Sequence, residues 1–166
     1  MAELTALESK IGEVLGLAMA AQDATQKVTK LVEDEGDHDD LRTTLQRMAK
    51  EAKETEARTT DLASELDGKK TAILEKARET KQEATEMMST YLGDDADALD
   101  GFEFLTMAEA GEVGHWSVLK QLGERASHPG VQALTQWALP IQERHLRTAL
   151  AASKQLAAEE DPQAPA

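Results

Sequence analysis

Long stretches between sparse glycines and prolines carry apolar residues at three- and four-residue spacing, and that period restricts the chain to helices packed through one face. Five helices are expected. The first runs from about Ala2 to Asp34 with Leu4, Leu7, Ile11, Leu15, Ala18, Gln22 and Thr25 on one stripe, and it ends at Glu35-Gly36-Asp37. The second begins under an Asp cap at Asp39 or Asp40, carries Leu41, Leu45, Met48, Ala52, Thr55, Thr59, Leu62 and Leu66, and stops at Asp67-Gly68. The third, from about Lys69 to Leu92, has a thinner apolar face of Ile73, Ala77, Thr80, Ala84, Met87 or Met88, and Tyr91, so it is expected to lie along the outside. The turn at Gly93-Asp94-Asp95-Ala96-Asp97 leads into a fourth helix reaching about Ala126, with Phe102, Leu105, Glu109, Glu112, Trp116, Leu119 and Gly123 in register. Ser127-His128-Pro129 opens the fifth, which carries Val131, Leu134, Ala138, Ile141, His145, Ala149, Ala152 and Leu156.

Connection lengths select the topology. Short turns make helices one and two, and helices four and five, antiparallel neighbours. The third helix is long enough, at about 1.5 Å per residue, to carry the chain back along the full length of a bundle. The fold class expected is therefore all-α: a four-helix bundle with an additional helix in the long crossover between helices two and four. Residues 1–158 form one such domain, and the tail 159–166, with Pro162 and Pro165 and no core residue, is expected to be disordered. Pro140 inside the fifth helix removes a backbone hydrogen bond and predicts a kink one turn before His145, which either aims Gln142 and His145 inward or accommodates the crossover.

Composition narrows the function classes. Helix formers dominate, and the aromatics are two Trp, one Tyr and two Phe, too few for an aromatic-rich β core. A net charge of −14 without a Lys/Arg cluster argues against nucleic acid as a partner. The chain has no cysteine, which excludes disulfides, thiolate nucleophiles and zinc-thiolate sites. The first residues lack the charged and apolar regions of a signal peptide, and no run approaches the length of a membrane span, so a cytoplasmic protein without membrane contact is expected. No phosphate-binding glycine loop or nucleophile elbow appears. The acidic run from Glu33 to Asp40 lacks calcium-loop spacing and reads as capping and solvation. Met87-Met88 reads as packing.

Polar residues interrupt the apolar stripes at similar heights: Gln22 in helix one, Thr55 and Glu56 in helix two, Glu109 and Glu112 in helix four, Gln142 and His145 in helix five. Charged groups in a core are costly unless paired, hydrogen-bonded or metal-bound, so four interruptions at one level call for a common explanation. A metal centre is one, because residues three apart on a helix can offer two groups to one point. The alternatives are that Glu109 and Glu112 pair with a cation such as Lys53 or reach water, and that Gln22, Gln142 and His145 form a hydrogen-bonded layer fixing helix register without metal. His115 follows Glu112 by three residues but falls at the margin of the stripe marked by Trp116.

The segment Met107-Ala108-Glu109-Ala110-Gly111-Glu112-Val113-Gly114-His115-Trp116, with Leu139-Pro140-Ile141-Gln142-Glu143-Arg144-His145, resembles the second half of the ferritin-like superfamily, nearest its small bacterial stress-response (YciF-like) branch. The resemblance spans roughly residues 5–158 and is motif-level only in helices four and five. It implies iron or manganese as cofactor, with Glu109, Glu112 and His145 at ligand positions. Gln142 and Gln22 stand where that family has Glu. On helix two the best register puts Lys53 and Glu56 at the family's Glu and His positions, with Glu51 or Glu54 serving if the register slips. The implied role is stress-related iron or manganese binding at a reduced site. The alternative is a non-catalytic bundle acting by self-association, such as a homo-dimer through a helical face, or by binding a protein partner. A carrier for a small ligand in the bundle core has no dedicated motif.

Overall fold

A computed structural model describes residues 2–36 and 38–164, and these contain five helices and no strand. They are α1 (Ala6–Glu35), α2 (Asp39–Glu65), α3 (Lys70–Tyr91), α4 (Ala98–Arg125) and α5 (Pro129–Ala157). Local chemistry sets the ends. Thr5 and Glu8 close a capping box on α1, and Asp97 and Asp100 close one on α4. His128 caps α5 by accepting the Val131 N–H on Nδ1, with Pro129 in the first turn where its missing N–H costs nothing. The Asp cap expected for α2 is not formed: His38 is the flanking residue, it makes no side-chain cap, and Asp39 and Asp40 lie inside the first turn. There they still favour the helix, as carboxylates near its positive end. Met1, Asp37, Pro165 and Ala166 lie outside the described residues, as does that part of the expected tail; residues 159–164 are exposed and outside any helix. α5 runs unbroken through Pro140.

Side-chain contacts fix the directions. Along α1 and α3, Glu8 pairs with Lys69 at 3.5 Å and Asp23 with Lys81 at 2.9 Å, so the two helices run parallel. Glu13 meets His115, and Gly101 lies against Val28 and Leu31, so α1 and α4 are antiparallel. Asp40 bonds Gln155, Glu51 bonds His145, and Arg58 stacks on Trp137, so α2 and α5 are antiparallel. α1, α2, α5 and α4 contact one another in a ring, while α3 packs mainly on α1 and touches α2 and α4 lightly. α2 and α4 consequently run the same way, with α3 returning the chain between them.

The α1–α3 contact depends on two glycines that the apolar pattern does not reveal. A Cβ built on Gly16 would lie 2.3 Å from the Ala77 carbonyl oxygen, and one on Gly12 would lie 2.8 Å from the Lys76 Cβ. Backbone therefore approaches backbone at the N-terminal half of α1, as small residues one turn apart allow. α3 buries Ala72, Ile73, Ala77 and Thr80 there, while farther along Met87 and Tyr91 are exposed; Met88, not Met87, packs on the core.

Two apolar clusters fill the ring. One gathers Val28, Val32, Leu41, Leu45, Phe102, Leu105 and Leu156; the other gathers Ile11, Val14, Leu62, Ile73, Trp116, Leu119 and Val131. Between them the chain buries Thr25, Thr55, Thr59, Glu109, Glu112, Gln142 and His145. A polar layer separates two oily halves.

Candidate functional site

Besides its three threonines, the layer holds four side chains that are at most 3% exposed: Glu109 (2%), Glu112 (3%), Gln142 (1%) and His145 (3%). Each occupies a position at helical spacing from a buried apolar residue: Glu109 follows Leu105 by four, Glu112 precedes Trp116 by four, and His145 precedes Ala149 by four. The backbone thus aims them inward whatever their polarity.

His145 is held between two carboxylates from different helices. Its Nε2 lies 2.5 Å from Glu51 Oε2 on α2, and its Nδ1 lies 3.6 Å from Glu109 Oε2 on α4, an ion-pair separation too long for a hydrogen bond. Glu51 also accepts from the Arg144 guanidinium at 2.5 Å. Burial by itself lowers the basicity of His145, but Glu109 and Glu51 outweigh it and hold the imidazole above its ordinary pKa. Glu51 is the mirror case: partial burial raises its carboxyl, and His145 and Arg144 overcome this and hold it low. A doubly protonated ring has an N–H for each carboxylate.

Glu112 has no such partner. Burial pushes its carboxyl well above the usual range, and the neighbouring Glu109 charge adds in the same direction. The antiparallel register that sets Glu109 against His145 sets Glu112, three residues on, level with Gln142, three residues back. Glu109 Oε2, Glu112 Oε2 and Gln142 Oε1 are all buried without a hydrogen-bond partner. Orphaned acceptors of this kind are rare in folded proteins and cost stability.

On the other side of the ring Gln22 and Glu56 engage each other: the Gln22 amide donates to Glu56 Oε2 at 2.5 Å and to the Ala18 carbonyl at 3.2 Å. The expectation that Lys53 stands in the layer is wrong. Lys53 is exposed and Glu51 takes the inward place, because α2 buries Met48, Ala52, Thr55 and Thr59, which leaves position 53 on the outer face and position 51 at the flank of the buried line. Glu109 and Glu112 therefore have no pairing with Lys53. Glu54 faces outward to Arg58. His115 sits at the margin, as its offset from Trp116 predicts, pairing with Glu13 at 3.1 Å and meeting Lys10 Nζ at 3.3 Å. Partial burial would raise the Glu13 carboxyl, and Lys10 and His115 bring it below its usual range.

A groove of about 570 Å³ runs between α1, α3 and α4, and Glu109 and Glu112 are among the residues that line it. A second groove, of about 610 Å³, lies around Pro140 between α4 and α5 and involves none of these four residues.

The donor set suits a hard cation in chemistry: two carboxyls and an amide with free oxygens, and an imidazole whose Nε2 is already engaged by Glu51, as ligating histidines commonly are by a carboxylate. Among the described residues, no three His, Asp or Glu side chains form a group able to hold a metal ion as they stand. No helix of the described residues is long and apolar enough to cross a membrane. No family model, curated protein or solved structure matches the chain.

Proposed function

We propose that the chain is a ferritin-like four-helix bundle, with α3 as its crossover helix, whose central layer takes up a single divalent cation, iron(II) or manganese(II), in a stress-related role. One observation carries this reading: the buried oxygens of Glu109, Glu112 and Gln142 that lack a hydrogen bond, on facing turns of α4 and α5 beside His145. A cation satisfies all three and removes the repulsion between two neighbouring carboxylates, which is what makes such a cluster tolerable in a core. Glu109, Glu112 and His145 would hold the ion, with Gln142 as a neutral oxygen donor and Glu51 orienting the imidazole. Gln22 and Glu56, bonded to each other, are left for an outer role. Bound iron would supply one-electron chemistry toward oxygen or peroxide. The donor set is too poor in carboxylates for a pair of ions.

A second reading has its own support. The Glu51–His145–Glu109 chain and the Gln22–Glu56 bond satisfy much of the layer without any ion, which suits a polar layer that fixes helix register in a protein acting by self-association or partner binding.

Titration of chelator-treated protein with Mn(II), followed by the electron paramagnetic resonance of the free ion, separates the two. The cation reading expects one ion per chain, lost in Glu109→Gln and in Glu112→Gln, and anaerobic Fe(II) binding with the same stoichiometry. No uptake by the wild type, with a melting temperature indifferent to chelator, overturns it in favour of the register layer.

A further inference from the structure

The groove beside the carboxylates has walls of a kind that an ion does not use. Leu17, Ala20 and Ala24 of α1, Ala84 and Met88 of α3, and Phe104 of α4 line it together with Glu109 and Glu112, and its one lysine, Lys76, is paired with Glu79. The fold explains why it is open. Gly12 and Gly16 draw the start of α3 against α1, and α3 touches α4 only lightly, near Tyr91 and Phe104, so a groove is left along the seam between α3 and α4. About 570 Å³ lies within the range of small-molecule sites, which typically combine apolar walls with a few placed polar groups. Met88, with half-exposed Met87 and Met107 near the mouth, gives a lining that adapts to the shape of a guest.

We infer that this groove binds a small apolar amine, its ammonium group seated against Glu109 and Glu112 and its hydrocarbon along the wall between α1 and α3. Charge complementarity selects the head group. An ammonium brings positive charge and up to three N–H donors to two acids that line the groove, of which Glu112 has neither a hydrogen bond to one oxygen nor a cationic partner, whereas an alcohol brings one donor and no charge. A carboxylate would add a third acid to the two already there. The walls select the rest of the ligand, because a hydrocarbon segment displaces water from surface that a small hydrated cation leaves wet. This inference does not rest on the cation reading. The two ligands share the same carboxylates, so each excludes the other.

The test uses the full chain, treated with chelator, and isothermal calorimetry with decylamine, decanol and decanoate below their aggregation concentrations. Decylamine is expected to bind one per chain, decanol at least ten-fold more weakly, and decanoate more weakly still. Glu112→Gln should cut decylamine affinity ten-fold or more and leave decanol unchanged. Ala84→Trp, which fills the groove from α3, should abolish decylamine binding; Ala21→Phe on the opposite wall replaces it where Ala84→Trp fails to fold. Mn(II) taken up at Glu109 and Glu112 should displace the amine. Failure of the wild type to bind decylamine, equal affinity for the three head groups, or decylamine binding that survives the groove-filling substitution overturns the inference. The Mn(II) titration of the wild type remains interpretable in each of those cases.

Discussion

Glu112 sits in the core with one carboxyl oxygen unpartnered and a second acid beside it, an arrangement that works against the fold at neutral pH. Because its pKa is raised in the folded state, the protein keeps that proton to higher pH than the unfolded chain does. The favourable contribution is complete below the unfolded value and is lost as pH rises through the folded value. Glu112→Met, which keeps length and drops the charge, should therefore stabilise the metal-free protein by roughly 1–3 kcal/mol at pH 7. At pH 4 the gain should be much smaller. Urea denaturation at the two pH values checks the difference; an equal gain at both rules out a charge effect. His145 and Glu51 form the opposite case, since each is shifted toward its charged form. Glu51 contributes above its unfolded carboxylate range and loses that contribution as pH falls. His145 contributes fully below its unfolded value and loses it as pH rises through the raised folded one. Their joint contribution thus peaks in mildly acid solution. Glu51→Gln should cost roughly 1–3 kcal/mol there, flatten the pH profile and lower the titration midpoint of His145 in the proton resonance spectrum. An unmoved His145 midpoint would mean that the Glu51 contact does not persist in solution.

Among the helices, what the sequence disclosed and what it hid follow from side-chain length. Positions on the inward line of a helix are buried where the backbone points them, so Leu41, Leu45, Met48, Ala52, Thr55, Thr59 and Leu62 all lie inside, as do Phe102, Leu105, Glu109, Glu112, Trp116, Leu119 and Gly123. Neighbouring positions on a helix differ by about 100°, yet a long side chain on the flank reaches inward, which is why Glu51 enters the layer while Lys53 points to solvent. The polar layer was legible as interruptions of the stripes; its wiring was not, because pairing depends on distances across helices. The tight α1–α3 contact was hidden for a different reason. Gly12-Glu13-Val14-Leu15-Gly16 carries a small-residue spacing, but nothing in a periodic pattern says which helix will approach it. That contact gives a prediction of two signs. Gly16→Ala should destabilise by roughly 1–3 kcal/mol, since the added Cβ meets the Ala77 carbonyl, and should raise hydrogen exchange in α3 above that in α4. Gly114→Ala, where a Cβ meets nothing within 4 Å, should stabilise by about 0.5–1 kcal/mol through helix propensity alone. Thermal melts of the two variants that move in the same direction would contradict the packing described.

For the molecule as a whole, a net charge of −14 complicates any experiment with cations, because dissolved salt relieves self-repulsion and raises stability without a site. Site binding is distinguished by its dependence on concentration. An ion that binds only the folded chain adds about 2.7 kcal/mol when its free concentration is a hundred times its dissociation constant, and that free energy keeps growing with the logarithm of concentration. For a chain of this size it corresponds to a rise of roughly 5–10 °C in melting temperature. Sodium chloride at matched ionic strength supplies the screening and omits the site. The doubly substituted Glu109→Gln, Glu112→Gln protein supplies the complementary control: it removes at most two of the charges behind the net −14, so its response to sodium chloride should match the wild type, whereas its additional response to Mn(II) should vanish. If instead Mn(II) raises both proteins equally, the ion is acting on the acidic surface. The polar layer then stands as a register device held together by Glu51, His145 and Glu109, with Glu112 its unpaired member.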